Sequence, residues 1–376
     1  MSMNNTIALN QLKSLPLLFE QKFENIDHNI RNTLNATDLI GIKQVFVVGN
    51  GDSYFAGLAV TQIFNKFTDV QYKAVQSMKF FAYEHTLLKE YSPGQTLIIG
   101  VSASGESKRV VQALEEARKS LPSAKIFALV GNVESSVAGI ADKILDVSIP
   151  NEGTAPGIRS YVASLFGLLG VALRIGELQG KIHLHDANRV RAYIPTLAPI
   201  AERITNTSIE VSKNITSLVK SPILTVVGSG CNFGNALFNA AKFVEIAGLH
   251  ATGQDIEEWL HVERFAYPLD SPIMVIASSG EAFNHAKKMI GVAKAIGHQI
   301  ICITNSADDS IISRESEYIV NFDDIEELYS VFITFIPSIP FAIAYGNELN
   351  RNMFMSDNEN IKDARNKLNK LLKETM

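Results

Sequence analysis

Ser102, Ser104 and Ser107 place three hydroxyls within six residues, SASGES, directly after the apolar run TLIIGV. Such a run reads as a buried parallel strand, and residues 109–120 after the loop read as a helix. The loop therefore meets a helix N-terminus. Unpaired backbone N–H groups and the positive end of the helix dipole favour an anion there, a phosphate dianion above all. A serine can also simply cap the helix, with Glu106 in the first turn for dipole reasons. Capping needs one hydroxyl, and three at i, i+2 and i+5 exceed that need. Phosphate binding is the expectation.

A second loop, GNGDS at residues 49–53, follows another strand-like run, KQVFVVG. Glycines here let the chain turn and let a ligand approach the backbone. The dinucleotide fingerprint asks for GxGxxG and an acid at the end of the next strand. Here the third glycine, Gly57, comes three positions late, and the strand VQYKAV ends without an acid. No nicotinamide and no other cofactor is expected.

A third stretch, KFVEIAGLHATGQDIEEWLH at 242–261, carries Glu245 among Phe243, Val244, Ile246 and Ala247. A carboxylate in apolar surroundings is partly desolvated, which raises its pKa and makes it a better base near neutrality. Helical periodicity equally allows Glu245 on a solvated face. His261 follows a polar turn, and alone it reads as a surface or satisfied core histidine.

These loops need a framework. Strand-like runs at 43–49, 70–75, 96–101, 126–130 and 144–149 alternate with helical patterns at 53–67, 109–120 and 160–178. The pattern then restarts, with strands at 222–227, 272–277, 299–304 and 318–322 and helices at 234–247 and 285–296. Alternation of this kind implies parallel sheets covered on both faces. Gly49 corresponds to Gly228 and Gly105 to Gly280, offsets of 179 and 175. Near-constant offsets mean internal duplication. The second loop reads ASSGEA, with alanines at both end positions, so one phosphate site per chain is expected. The expected organisation is a helical segment at 1–40, a phosphate-binding domain at 41–185, a helical connector at 186–220, a base-bearing domain at 221–350 and a tail at 351–376. The fold class is α/β, two tandem flavodoxin-like doubly wound domains with mostly parallel sheets.

Composition excludes several classes. Hydrophobic residues make up 46% and charged residues 19%, ample for a core and wrong for a disordered chain. The net charge of −5 argues against a nucleic-acid partner. Cys231 and Cys302 form no CxxC pair, and His183 and His185 lack a carboxylate cluster, so neither a disulfide framework nor a metal is expected. The N-terminus shows no basic region followed by an apolar core, and Gly or polar residues interrupt the apolar stretches. A cytoplasmic protein with no membrane partner is the expectation.

Together these residues resemble the sugar isomerase (SIS) family in its double-domain branch, which includes the isomerase half of glucosamine-6-phosphate synthase, the fructoselysine-6-phosphate deglycases and aminosugar-phosphate deaminases. The resemblance runs from about residue 42 to 345. It is strongest in VSASGESKRVV, similar to the family's SxSGET phosphate loop. It implies that Ser102, Ser104 and Ser107, with backbone at Ala103, hold a sugar phosphate, and that Ser53 of GNGDS faces the substrate. The segment EGTAPGIRSY resembles the family's sugar-contacting turn, which places Ala155 and Gly157 near the sugar. Lys242 and Glu245 match the family's KxxE helix, and His261 follows Glu245 by sixteen residues as in the family. Glu258 matches the glutamate three residues before that histidine.

The implied roles are C1–C2 proton transfer for Glu245 and ring opening for His261, donated across a homodimer interface. The family's GxGTS threonine is Asp52 here, an acid that would either repel a carboxylate-bearing substrate or hold a cationic nitrogen, and the second role slightly favours an amine-releasing deaminase or deglycase over simple isomerisation. HGP after the histidine is replaced by His261-Val262-Glu263. The C-terminal PRNLAK segment is echoed by 364–367, which makes Lys367, and beside it Lys370, a candidate for the synthase lysine. No leading cysteine nucleophile or glutaminase domain is visible, so glutamine hydrolysis is not expected. The alternative is a non-catalytic regulatory protein that binds a sugar phosphate.

Overall fold

The computed structural model describes residues 3–89, 92–215, 218 and 220–374. Strands β1 (Gln44–Gly49), β2 (Gln71–Gln76), β3 (Thr96–Ser102), β4 (Lys125–Val130) and β5 (Lys143–Asp146) form one sheet in the order β2-β1-β3-β4-β5. Strands β6 (Ile223–Val227), β7 (His250–Gln254), β8 (Pro272–Ala277), β9 (Gln299–Thr304) and β10 (Tyr318–Asn321) form the second, in the order β10-β9-β8-β6-β7. Every pairing is parallel. Read from its other edge, the second sheet repeats the first strand for strand. Both are the doubly wound, flavodoxin-like arrangement. Helices cover both faces, so β3 and β8 are buried along their whole length, which explains their unbroken apolar sequences.

The duplicated order fixes where the loops meet. Strand order reverses between β1 and β3 and again between β6 and β8. In such sheets the crevice beyond the strands' carboxyl ends opens at the reversal. GNGDS leaves β1 and SASGES leaves β3, so the two loops flank the first reversal.

Two elements differ from the sequence reading. Strand β7, HATGQ, has no counterpart among the strands expected from the sequence. It is an edge strand with no fully buried residue, and an edge position does not require an apolar run. The helix expected over 53–67 is two helices, Asp52–Ala59 and Thr61–Phe67, broken at Val60.

One core spans both sheets. The Ile158–Leu178 helix is buried on nearly all sides. It is long and apolar enough to cross a membrane, yet it lies inside the protein, as a helix apolar all round can. Phe166 on it meets Phe19 and Phe23 of the N-terminal helices, each at 5.2 Å between ring centroids. Tyr161 stacks on Phe238 of the Asn232–Ala247 helix at 4.0 Å and donates its hydroxyl to Asn235 at 2.6 Å. Each buried ring contributes about 1.5–3 kcal/mol by area alone. Buried Asp27 accepts from Arg31 (2.8 Å) and Arg191 (2.9 Å), tying the N-terminal helices to the Leu184–Tyr193 connector helix.

The two domains touch most closely where the Asp52–Ala59 helix crosses the Asn232–Ala247 helix. Gly234 permits the crossing, since a Cβ there would lie 2.5 Å from the Ala59 nitrogen and 2.6 Å from the Phe55 carbonyl oxygen. Both are backbone atoms that cannot give way. Gly234→Ala is therefore expected to lower stability by about 1–3 kcal/mol in chemical denaturation, even though alanine is the better helix former.

Candidate functional site

The β1 loop begins at Gly49, where an added Cβ would lie 2.9 Å from the Ser53 side chain. Gly51 then takes φ +49°, a left-handed conformation that starts the Asp52–Ala59 helix. Asn50 holds the loop at both ends. It accepts from the Ser77 hydroxyl at 2.7 Å and donates to Ser107 Oγ at 3.3 Å. The second contact joins the β1 loop to the serine loop across the reversal. Ser53 is half-buried on the first turn.

In the serine loop, Ser102 ends β3 and is buried, its Oγ accepting the Gly105 N–H at 3.1 Å. Ser104 is exposed and accepts the Glu106 N–H at 3.2 Å. Ser107 occupies the N-cap position of the Lys108–Ser120 helix but makes no side-chain cap. The capping explanation of the three serines is thus not the one the geometry adopts. Glu106 does not serve the helix dipole. Its carboxylate accepts from the Ser136 hydroxyl and backbone N–H, at 2.5 and 3.2 Å. Ala103 is exposed and lines a cavity of about 230 Å³ with Ala155, Gly157, Arg159 and Ser160. Gly157 precedes the Ile158–Leu178 helix, and a Cβ there would collide with the Asp52 carboxylate. The three loops therefore abut.

Glu245 enters from the second domain. It lies near the end of the Asn232–Ala247 helix with its side chain 35% exposed. Lys242 on the same helix has a fully buried side chain. Its Nζ donates to Glu245 Oε2 at 2.6 Å and to Asp52 Oδ2 at 2.9 Å, and sits 4.4 Å from the centroid of the Phe238 ring. Burial raises the Glu245 pKa above the ordinary glutamate range. The Lys242 charge opposes that shift, and the Asp52 charge adds to it. Glu245 is thus a partly desolvated carboxylate, linked through Lys242 and Asp52 to the β1 loop and through Asn50 to Ser107.

Asp52 departs from the expectation. Its carboxylate is already paired with the chain's own Lys242, so it is not waiting for a substrate nitrogen, and its presence no longer favours amine release. In the sequence Lys242 stands out only as a match to the KxxE helix. The signal was its place between Phe238 and Phe243 on an apolar helix face, where a lysine must find a carboxylate or lose its charge.

His261 and Glu258 are not beside these loops' contacts within one chain. His261 ends the Ile256–His261 helix, is 66% exposed, and contacts Glu257 Oε1 through Nε2 at 2.9 Å. Glu258 is exposed. Lys367 is exposed on the C-terminal Glu359–Glu374 helix, and the side chain of Lys370 lies outside the described residues.

The second copy of the serine loop is occupied by side chains. The Ser279 N–H donates to Asn305 at 2.7 Å and the Glu281 N–H to Glu327 at 3.2 Å. A Cβ on Gly280 would collide with the Glu327 carboxylate. Burial raises the Glu327 pKa. A wider cleft of about 1680 Å³ opens over this loop, but these two loop donors are already spent on the protein's own groups.

The family model of the SIS domain matches residues 38–173 and 217–335. Among curated relatives, the glutamine–fructose-6-phosphate aminotransferase (isomerizing) of Thermococcus kodakarensis is 25% identical over 320 residues, 83% of this chain and 51% of that protein. The Aquifex aeolicus enzyme of the same name is 24% identical over 337 residues, 88% of this chain and 54% of that one. The chain spans about half the length of the curated relatives it matches. Among solved structures, the C-terminal domain of glucosamine-fructose-6-phosphate aminotransferase from Francisella tularensis superposes with a TM-score of 0.78 at 15% identity, covering 92% of this chain and 97% of that one. Glucosamine-6-phosphate deaminase from Thermotoga maritima gives 0.72 at 16%, covering 92% and 96%.

Removing the buried ammonium tests the electrostatics. Lys242→Met leaves Asp52 and Glu245 facing each other unpaired. The expected loss at neutral pH is about 1–3 kcal/mol, below the full cost of breaking a buried pair because both carboxylates keep some water. Glu245 already has a raised folded pKa, and Lys242 is the main influence opposing the rise. A raised acid pKa favours the folded state as pH falls and disfavours it as pH rises through the folded value. The gap in melting temperature between variant and parent should therefore narrow from pH 7.5 to pH 5.

Proposed function

The chain belongs to the SIS-domain family, and from that premise we propose that it is an enzyme moving protons between C1 and C2 of a 6-phosphorylated sugar or aminosugar. The phosphate sits on Ser102, Ser104 and Ser107 with the backbone at Ala103, and Ser53, Ala155 and Gly157 border the sugar. Glu245 removes the proton alpha to the carbonyl or iminium and returns it to the neighbouring carbon. Helix-end N–H groups and hydroxyls hold the anion while this occurs. With a hydroxyl on the reacting carbon the outcome is aldose–ketose isomerisation. With an amine there, the same shuttle ends in release of ammonia or an amino acid.

The observation that carries this reading is the chain of contacts from Glu245 through Lys242 and Asp52 to the β1 loop, and from Asn50 to Ser107. It links a partly desolvated carboxylate to the serine loop that, on this reading, binds the anion. His261 opens the sugar ring from the neighbouring subunit of a homodimer. Its exposed position, away from the contacts of Glu245 in its own chain, supports that arrangement.

In D2O, hexose 6-phosphates and their amino derivatives should exchange a carbon-bound proton, and amine appears where the substrate carries one. Glu245→Gln should abolish exchange while sugar-phosphate binding persists in calorimetry. Ser104→Ala and Ser107→Ala should mainly raise KM. Because Glu245 must be ionised and its pKa lies above the ordinary range, kcat/KM should fall as pH drops through that raised value, earlier than for a solvated glutamate.

Mixing Glu245→Gln with His261→Ala subunits tests donation across the interface. Random reassortment makes half the dimers mixed, each with one intact site, so about a quarter of parental activity should return. No recovery after subunit exchange would place His261 in its own chain's site.

A further inference from the structure

His261 is not a solitary imidazole. Glu257, four residues earlier on the same short helix, accepts from its Nε2 at 2.9 Å. The other oxygen of the same carboxylate meets Nε2 of His285, which stands at the start of the Phe283–Ile296 helix. Glu257 is thus shared between two imidazoles from two elements. The resemblance pointed to Glu258, one residue along, but Glu258 makes no such contact.

Resting on the reading that His261 opens the ring, we infer that Glu257 and His285 are positioning residues for His261, holding its proton on Nε2 and presenting Nδ1 to the substrate. A carboxylate only accepts hydrogen bonds, so the imidazole nitrogen facing it carries a proton. In the neutral ring the other nitrogen, Nδ1, is then the bare one. His285 fixes the second carboxylate oxygen and so the plane of Glu257.

Ring opening balances on Nδ1 alone. The anomeric hydroxyl gives its proton to Nδ1 as the C=O bond forms. The bond from the anomeric carbon to the ring oxygen breaks, its electron pair stays on that oxygen, and the oxygen takes the proton back from Nδ1. The transient imidazolium is stabilised by the Glu257 charge. Hydrogen bonds from His285 and His261 hold the Glu257 carboxyl below the ordinary glutamate range, so it remains ionised at neutral pH.

The surrounding charges are engaged elsewhere or point to solvent. Glu263 accepts from Gln254 at 2.7 Å, Lys287 pairs with Asp309 at 2.9 Å, Lys294 pairs with Glu317, and Arg264 lies 4.5 Å over the Phe265 ring. Glu258, Glu281 and Lys288 are exposed.

Two measurements test the inference. In protein with ¹⁵N-labelled histidine, long-range ¹H–¹⁵N spectra should show His261 protonated on Nε2 with a bare Nδ1, and Glu257→Ala should abolish that preference. An Nδ1–H tautomer in the parent overturns the inference whatever the activity. In kinetics, Glu257→Ala should lower kcat on fructose 6-phosphate by about tenfold or more with little change in KM. It should leave turnover of 5-deoxyfructose 6-phosphate, which cannot close a ring, unchanged, and Glu257→Asp should restore part of the loss. His285→Gln should act in the same direction more weakly. Equal losses on both substrates overturn the inference. If the parent protein turns over neither compound nor any amino derivative, the enzymatic reading fails instead, and the tautomer spectrum still decides the positioning.

Discussion

A single ammonium group holds the two halves of this molecule in register. Lys242 has no exposed side-chain surface, and burying such a charge costs several kcal/mol unless it is paired with good geometry. The pairing comes from both domains at once, Asp52 from the first and Glu245 from the second, with the face of Phe238 beneath. Nothing within the second domain replaces Asp52. The Asn232–Ala247 helix must therefore lie against the Asp52–Ala59 helix, and Gly234 must be small enough to let it. Gly157 answers the same constraint from the third loop by leaving room for the Asp52 carboxylate. The ammonium that seats the domains also opposes the burial-driven rise in the pKa of the proposed base, so stability and chemistry here both respond to one group.

The duplication explains both the symmetry and its loss. Two sheets of identical order each present a loop and a helix N-terminus at the strand reversal. In the first copy the helix start keeps a serine that does not cap, and the loop N–H groups of Gly105 and Glu106 are met by the neutral hydroxyls of Ser102 and Ser104. In the second, Asn305 and Glu327 satisfy the loop donors with the protein's own atoms. The equivalent loop N–H meets a neutral hydroxyl in the first copy, Glu106 to Ser104, and a carboxylate in the second, Glu281 to Glu327. Once a side-chain carboxylate fills that role, a phosphate dianion meets a like charge on a donor already used. Ala282 in place of the terminal serine is thus one half of the change, and Glu327, forty-five residues further on, is the other.

Much of this was legible in the sequence because the determining forces are local. Buried parallel strands need continuous apolar runs, and those at β1, β3, β4, β8 and β9 were plain. The switch-point loops carried their own chemistry in GNGDS and SASGES. What escaped depended on partners distant in the chain. Strand β7 is held by the edge of β6 and by the Asn232–Ala247 helix against Gly253, so HATGQ gives little apolar signal. Asp52 appeared to be a free acid because its cation lies 190 residues away. Glu257 and Glu258 are adjacent and chemically alike, and only the helix's angular placement decides which of them meets His261.

The location of His261 follows from the same division of labour. Beside Glu245 the Lys242 ammonium is shared with Asp52, and His261 of the same chain pairs instead with Glu257. A general acid–base histidine needs a partner that fixes its tautomer, and Glu257 supplies one only on the exposed edge of the second domain. Placing imidazole and carboxylate together on a short surface helix keeps both solvated in the isolated chain, where neither has a buried charge to compensate. If a second copy covers that edge, as the proposed reading has it, the pair is desolvated as a unit, and its electrostatic coupling strengthens as water leaves. On the proposed reading, association and activation are then one physical event, because the imidazole reaches its working environment only when the interface forms.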